Sequence, residues 1–164
     1  MTRLPALRQF AVRATALGLA VLPAALPAQQ PITNAPGWVL SDHLEGVEGR
    51  NCTARNAGSD VNTRLMLNNA GVPILMTARP EWRHEGSQME VGLSIDGAAP
   101  VQVRGFALVS VVFVLVEDGS VLQRLRDART LDWTFPFGRF HANVAGLGVA
   151  LDAVRACYDA PAAG

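Results

Sequence analysis

The chain has 164 residues, of which 49% are hydrophobic and 17% charged, and its 14 basic residues balance 14 acidic ones. A chain this apolar and this low in charge is not typical of a disordered protein, and a zero formal net charge is not typical of a nucleic-acid-binding protein. The length predicts one globular domain. We therefore expect a single folded domain without a nucleic-acid partner.

Residues 1–28 have the layout of a secretory signal peptide. Three arginines precede an uncharged apolar stretch from Ala14 to Ala28, and polar glutamines follow it. The stretch is shorter than the about 20 apolar residues that a membrane-spanning helix requires. We predict cleavage after Ala28 and an exported protein, periplasmic or secreted, without a membrane span. An internal amphipathic helix is the alternative interpretation.

Cys52 and Cys157 are the only cysteines of the chain. An even number of cysteines in an exported protein predicts a disulfide. For a loop of this length, the chain-entropy model assigns the bridge about 4–5 kcal/mol as an upper value. A buried thiol pair and a metal site are the alternatives, but two sulfurs without a CxxC or CxxH spacing make a poor zinc site. We expect no metal and no other cofactor.

Residues 29–37 contain two prolines and a glycine, which predicts a flexible leader ahead of a single α+β domain over residues 38–160. Strands are predicted where apolar and polar side chains alternate between turn residues. The clearest example is residues 88–95, whose apolar side chains all fall on one face. The other segments with strand patterns are residues 38–41, 61–67, 72–78, 101–104, 131–135 and 140–144.

Residues 106–116 are apolar nearly throughout, and their β-branched content predicts one central strand. Two helices are predicted in the C-terminal third. Ser120 and Gln123 form a capping-box pattern before one helix, and apolar residues recur at helical spacing over about residues 145–158. Together these elements predict an α+β fold. We expect a mostly antiparallel sheet or sandwich of about seven to eight strands, two helices and one disulfide.

The segment over residues 79–86 is a candidate binding loop, because tryptophan and arginine are enriched at binding hot spots. Its candidate binding residues are Arg79, Trp82, Arg83 and His84. In the alternative interpretation Trp82 folds back onto the sheet as a lid and the charged residues only solvate a turn. The other tryptophans and the phenylalanines near the C-terminal strands are predicted to lie in the core.

The sequence contains no recognised catalytic motif. The three histidines, His43, His84 and His141, lie outside any HExxH pattern, and there is no G-x-S-x-G elbow or glycine-rich phosphate loop. These observations favour a non-catalytic protein. The alternative is a small periplasmic hydrolase or inhibitor-like protein that uses His84 or His141 beside a carboxylate in one pocket.

The C-terminal third resembles the closing segment of invasion-associated locus B-type exported bacterial proteins. The similarity is in residues 122–128 (LQRLRDA), 131–135, 140–147 and 150–153. The additional paired cysteines usual in that family are absent here. The resemblance implies a periplasmic or surface-associated β-rich module without known catalysis, and it transfers no functional residue. We therefore predict an exported, non-catalytic binding or envelope-associated module whose partner is a protein or an envelope ligand.

Overall fold

The structure, a computed structural model, describes residues 30–41, 52–56 and 61–160. Ten strands and two helices lie within these residues. The strands are β1 (Gln30–Pro31), β2 (Trp38–Ser41), β3 (Thr53–Asn56), β4 (Asn62–Leu67), β5 (Pro73–Ala78), β6 (His84–Ile95), β7 (Val101–Val109), β8 (Val111–Leu115), β9 (Thr130–Phe135) and β10 (Gly138–Asn143). The helices are α1 (Gly119–Arg126) and α2 (Leu147–Asp159).

All ten of the described strands belong to one antiparallel sheet in the order β1-β2-β3-β4-β5-β8-β7-β6-β9-β10. The predicted α+β class, the antiparallel sheet, the two helices in the C-terminal third and the disulfide are confirmed. The predicted count of seven to eight strands is too low. The missed strands are β1 and β3, which are short segments in a polar, proline- and glycine-containing region where alternation is hard to recognise.

The apolar run over residues 106–116 is not one central strand, because it contains the end of β7, a tight turn and β8. Leu108 pairs with Val111, so Val109 and Ser110 form a two-residue turn, and Val109 adopts a left-handed φ of 53°. A β-branched residue is unusual in this conformation, and tight hairpin turns normally use glycine, asparagine or aspartate there. The run therefore contains no residue that signals its turn.

The described part of residues 29–37, which are predicted to form a flexible leader, contains a short strand and a turn. Gln30–Pro31 pairs with β2, and Ala35 is buried in the turn that follows. Proline is compatible with an edge strand because no neighbour requires its missing N–H. The prolines and the glycine of this segment therefore shape an edge strand and a turn. The predicted signal peptide, residues 1–28, lies outside the described residues.

The sheet curls so that strands from its opposite ends come into contact. Trp38 of β2 donates its indole N–H to the carbonyl oxygen of Ala145 at 3.0 Å, just beyond β10. Asn56 of β3 donates from its side-chain amide to the carbonyl oxygen of Asn143 at 3.0 Å, at the end of β10. We refer to the curled sheet as the roll. Its inner face holds the core, including the fully buried Trp38 and Trp133 that were predicted there.

Two helices cover the inner face of the roll at β2 to β5. Leu65 of β4 and Leu75 of β5 face Leu125 of α1 and Leu147 of α2. The predicted alternation holds here, because every second side chain of β4 is buried. The helices are joined to each other by a bidentate ion pair in which Arg126 donates to Asp152 at 2.7 and 2.9 Å.

The start of α2 depends on a glycine. Gly146 has a φ of +85°, and a Cβ at this position would lie 2.8 Å from the Cα of Ala35. Gly97, in the turn after β6, has a φ of +72° but open space around the same position. Because both variants strain the backbone and only one creates a clash, we expect Gly97→Ala to cost about 1 kcal/mol and Gly146→Ala about 3 kcal/mol.

Urea unfolding of the two glycine variants and of the wild type measures this difference directly. Equal losses of unfolding free energy would contradict the close packing of Ala35 against the start of α2.

Candidate binding surface

Trp82, the central residue of the candidate loop, is buried and only 7% exposed. Its ring centroid lies 5.6, 5.3 and 5.1 Å from those of Phe135, Phe137 and Phe140, all edge-on. Such edge-to-face pairs stabilise a cluster beyond the area that they bury. The alternative interpretation, in which Trp82 folds back as a lid, therefore describes the structure. The ring closes one end of the roll against β9 and β10.

The polar side chains of the same loop are occupied within it. Arg79 forms an ion pair with Glu81 at 2.6 Å, and its guanidinium lies 5.2 Å from the ring centroid of Phe140. Arg83 donates to the carbonyl oxygens of Pro80 and Trp82 and so braces the turn. The four predicted residues are thus adjacent in space, but they mainly stabilise the loop and the lid.

The two histidines that the structure describes, His84 and His141, do not come together. His84 begins β6, with its ring 5.9 Å from Trp82 and 4.8 Å from Phe137. His141 lies on the other, outer face of the sheet, where its Nδ1 is 2.8 Å from Asp132 Oδ1. His43 lies outside the described residues.

The pair of Asp132 and His141 has a serine on the neighbouring strand, but in the wrong order for a nucleophilic triad. Ser94 is the cross-strand neighbour of Asp132, so the carboxylate lies between the hydroxyl and the imidazole. The Ser94 hydroxyl instead donates to the carbonyl oxygen of Ala98 at 2.6 Å. A nucleophile must be within hydrogen-bond reach of its base, and this arrangement lacks that contact. Residues 30–41, 52–56 and 61–160 contain no cluster of three potential metal-ligating side chains.

The carboxylates with a lowered pKa have structural positions. Asp96 accepts backbone N–H groups from Thr130 and Arg129, and these hydrogen bonds lower the pKa of its carboxyl. The pKa of Asp118 is lowered by the Ser120 hydroxyl and by the first N–H groups of α1, which it caps. The hydrogen bonds from Arg126 lower the pKa of Asp152. These groups stabilise a turn, a helix cap and a helix pair, and they do not mark a reactive site.

The outer face of the sheet, opposite the helices, divides into a polar and an apolar half. On β6, β9 and β10 the outward residues are polar, as the neighbours Ser94, Asp132 and His141 show. The first half of β7 also has polar outward residues, Gln102 and Arg104, whereas the outward residues of β5, of β8 and of the second half of β7 are apolar. We refer to that half as the outer apolar surface, which consists of Ile74, Met76, Val111, Phe113, Leu115, Phe106, Leu108 and the turn residue Val109.

Four of the eight residues of this outer apolar surface are exposed. Phe106 is 42% exposed, Leu108 46%, Val109 58% and Leu115 41%. Contiguous exposed apolar surface is uncommon on monomeric proteins and is typical of interaction sites. The sequence pattern did not reveal it, because an apolar run with no alternation predicts a strand that is covered on both faces.

A groove of about 490 Å³ runs along the outer apolar surface between β4 and β8. Met76 and Phe113 form its apolar floor, and Arg64 of β4 lies along one side. Arg79 and Pro80 of the candidate loop close one end of it. The volume is within the usual range for small-molecule sites, and the loop predicted from the sequence borders the groove.

The chain matched no protein-family model, no curated protein and no solved structure. The resemblance of its C-terminal third to invasion-associated locus B-type proteins therefore stays a prediction. Neither helix in the described part of the chain combines the length and the apolar character that are needed to cross a membrane.

Proposed function

We propose that this protein is an exported, non-catalytic binding module that holds its partner on the outer apolar surface. The observation that carries the proposal is the exposure of Phe106, Leu108, Val109 and Leu115 on one continuous half of the sheet. Exposed apolar side chains carry a cost in solubility that a binding function explains. The polar half of the same face shows that the sheet does not require apolar residues on its outer side.

Export is supported by two independent features. The arginines and the apolar stretch of residues 1–28 have the order of a signal peptide. The disulfide between Cys52 and Cys157 is compatible with an oxidising, extracytoplasmic compartment. The predicted relation to invasion-associated locus B-type proteins would add an envelope-associated role, and it is part of this proposal.

The test of the surface uses the neutral, apolar dye Nile red as its probe. We expect the dye to bind the wild type, and we expect the variant Phe106→Ser with Leu108→Ser to bind it about tenfold more weakly, because both side chains lose apolar contact area. Val149→Ser is the matched control, since Val149 is similarly exposed (40%) but lies on α2. Fluorescence titration gives the affinities, and thermal melting shows that each variant is folded.

Equal dye binding by the wild type, the double variant and the control would contradict the proposed surface. The proposed surface would also be contradicted if Val149→Ser weakened dye binding as much as the double variant, because the dye would then report general surface hydrophobicity.

A further inference from the structure

We propose that the ligand of the groove is a single-chain anionic amphiphile, a medium-chain carboxylate whose head group binds Arg55 and Arg64 while its acyl chain lies on the outer apolar surface. This inference rests on the function proposed above and names the ligand class of the same site.

The first supporting feature is a pair of like charges on neighbouring strands. Arg55 of β3 and Arg64 of β4 are directly opposite each other in the antiparallel register. In such pairs the Cβ atoms lie about 5 Å apart, and like charges destabilise the sheet. An anion between the two guanidinium groups would remove this repulsion.

The arginine pair has no carboxylate partner among the described residues. The ion pairs of that part of the chain involve Arg79, Arg126 and His141. The Nε of Arg64 is also buried without a hydrogen-bond acceptor. Because a buried donor without an acceptor is costly, this atom and the repulsion between the arginines both favour a bound anion.

The second feature is an apolar path that starts at the arginine pair. Arg64 is the cross-strand neighbour of Met76, Met76 of Phe113, and Phe113 of Phe106. Arg64 and Phe106 are three strand spacings apart, a distance of about 14 Å. This distance is comparable with the length of an extended medium-length acyl chain. A ligand with a charged end and a linear apolar tail therefore matches both the arginines and the path.

The shape of the path favours one chain over a flat partner. Met76, in the middle of the path, is only 7% exposed, whereas Phe106 at its end is 42% exposed. A flat membrane surface would contact the exposed Phe106 before it reached the recessed Met76. A second copy placed face to face would cover the apolar residues, but none of the residues that make up the outer apolar surface could itself pair with Arg55 and Arg64. The arginine pair therefore favours a ligand with its own anionic group over a second copy of the chain.

The experiment compares laurate with dodecanol, which has the same chain length but no charge, using the full oxidised protein below the micelle concentration of each. We expect laurate to bind with one site per chain and about tenfold more tightly than dodecanol, as a charge-assisted hydrogen bond implies. Isothermal calorimetry measures both affinities, and displacement of Nile red measures them a second time.

The variants Arg55→Gln and Arg64→Gln separate the charge from the groove. We expect each to reduce the preference for laurate over dodecanol, and the double variant to abolish it, without a loss of thermal stability in the ligand-free protein. Arg124→Gln is the matched control, because Arg124 is exposed on α1, away from the groove. It should leave the preference unchanged.

Several outcomes would overturn the inference, and they are distinguishable from a failure of the proposed function. If Nile red binding depends on Phe106 and Leu108 but laurate and dodecanol bind equally, the surface is retained and the anionic ligand is wrong. The ligand is equally wrong if anionic vesicles bind while free laurate does not, or if sedimentation shows a dimer that dissociates in the Phe106→Ser, Leu108→Ser variant. If neither Nile red nor laurate binds, both proposals fail.

Discussion

Replacing Cys52 and Cys157 by alanine is expected to lower the free energy of unfolding by about 4 kcal/mol. The bridge joins residues 105 positions apart, and its two Cα atoms are 6.0 Å apart. Cross-linking a loop of this length restricts the unfolded chain strongly, so its loss favours the unfolded state. The total stability of a domain is about 5–15 kcal/mol, which makes this a large part of it.

The structural effect of this loss should be local at first. Cys157 lies in the last turns of α2, and Cys52 directly precedes β3, so the bridge holds the end of the helix to the β3 side of the sheet. Urea unfolding of the oxidised wild type and of the double variant measures the loss.

Reduction of the wild type with dithiothreitol is the control, since it breaks the same link without a substitution. A thiol titration of the unfolded, unreduced protein should find no reactive sulfur. A loss below about 1 kcal/mol in both experiments would contradict a stabilising role of the bridge, given the usual range for native disulfides.

Trp82→Ala is the second substitution with a large expected effect, a loss of about 3–4 kcal/mol. The ring is buried at the end of the roll against Phe135, Phe137 and Phe140, and its removal leaves a cavity among them. In a domain of this size, the midpoint of thermal unfolding should fall by about 10 °C. This expectation differs from that for an exposed binding loop, in which the same substitution would leave stability unchanged.

Trp82→Phe is the conservative variant for the same position. It keeps an aromatic ring in the cluster, so we expect it to lose no more than half of the stability that the alanine variant loses. Equal melting temperatures for the wild type and Trp82→Ala would show that the ring is not part of the core. In that case the loop over residues 79–86 would again be the leading candidate for binding.

The alternation of apolar and polar residues predicted strands correctly where one face of the sheet is buried and the other is polar. In β6 the residues Val91, Leu93 and Ile95 are buried as expected, and the same is true of Leu65 and Leu67 in β4. The physical reason is the two-residue period of a strand, which places every second side chain in the core. Local pattern and tertiary environment agree in these segments.

The same reasoning failed for β7 and β8, where the outer face is also apolar. Phe106, Leu108 and Leu115 face outward, so their hydrophobicity carries no information about the core side. Since Val109 occupies a turn position that normally takes glycine, the hairpin also lacked its turn signal. The apolar character of this outer face makes it a candidate binding surface, and it is also the reason why the sequence pattern did not reveal that surface.

No pattern in the sequence predicts that Arg55 and Arg64 lie opposite each other. They lie on different strands, and only the register between β3 and β4 places one opposite the other. Register depends on which faces are buried and on how the turn closes, and neither property belongs to a single short segment. A cross-strand pair of this kind becomes visible only when the sheet is assembled.

The sequence by itself determined the fold class, the helices, most of the strands and the pairing of Cys52 with Cys157. These follow from local periodicity, turn chemistry and the count of cysteines, which depend on neighbouring residues or on simple arithmetic. Only the tertiary structure decided that Trp82 is a lid, that one half of the sheet is apolar on its outside, and that two arginines face each other beside it. These features depend on contacts between segments far apart in the chain, which a local pattern does not encode.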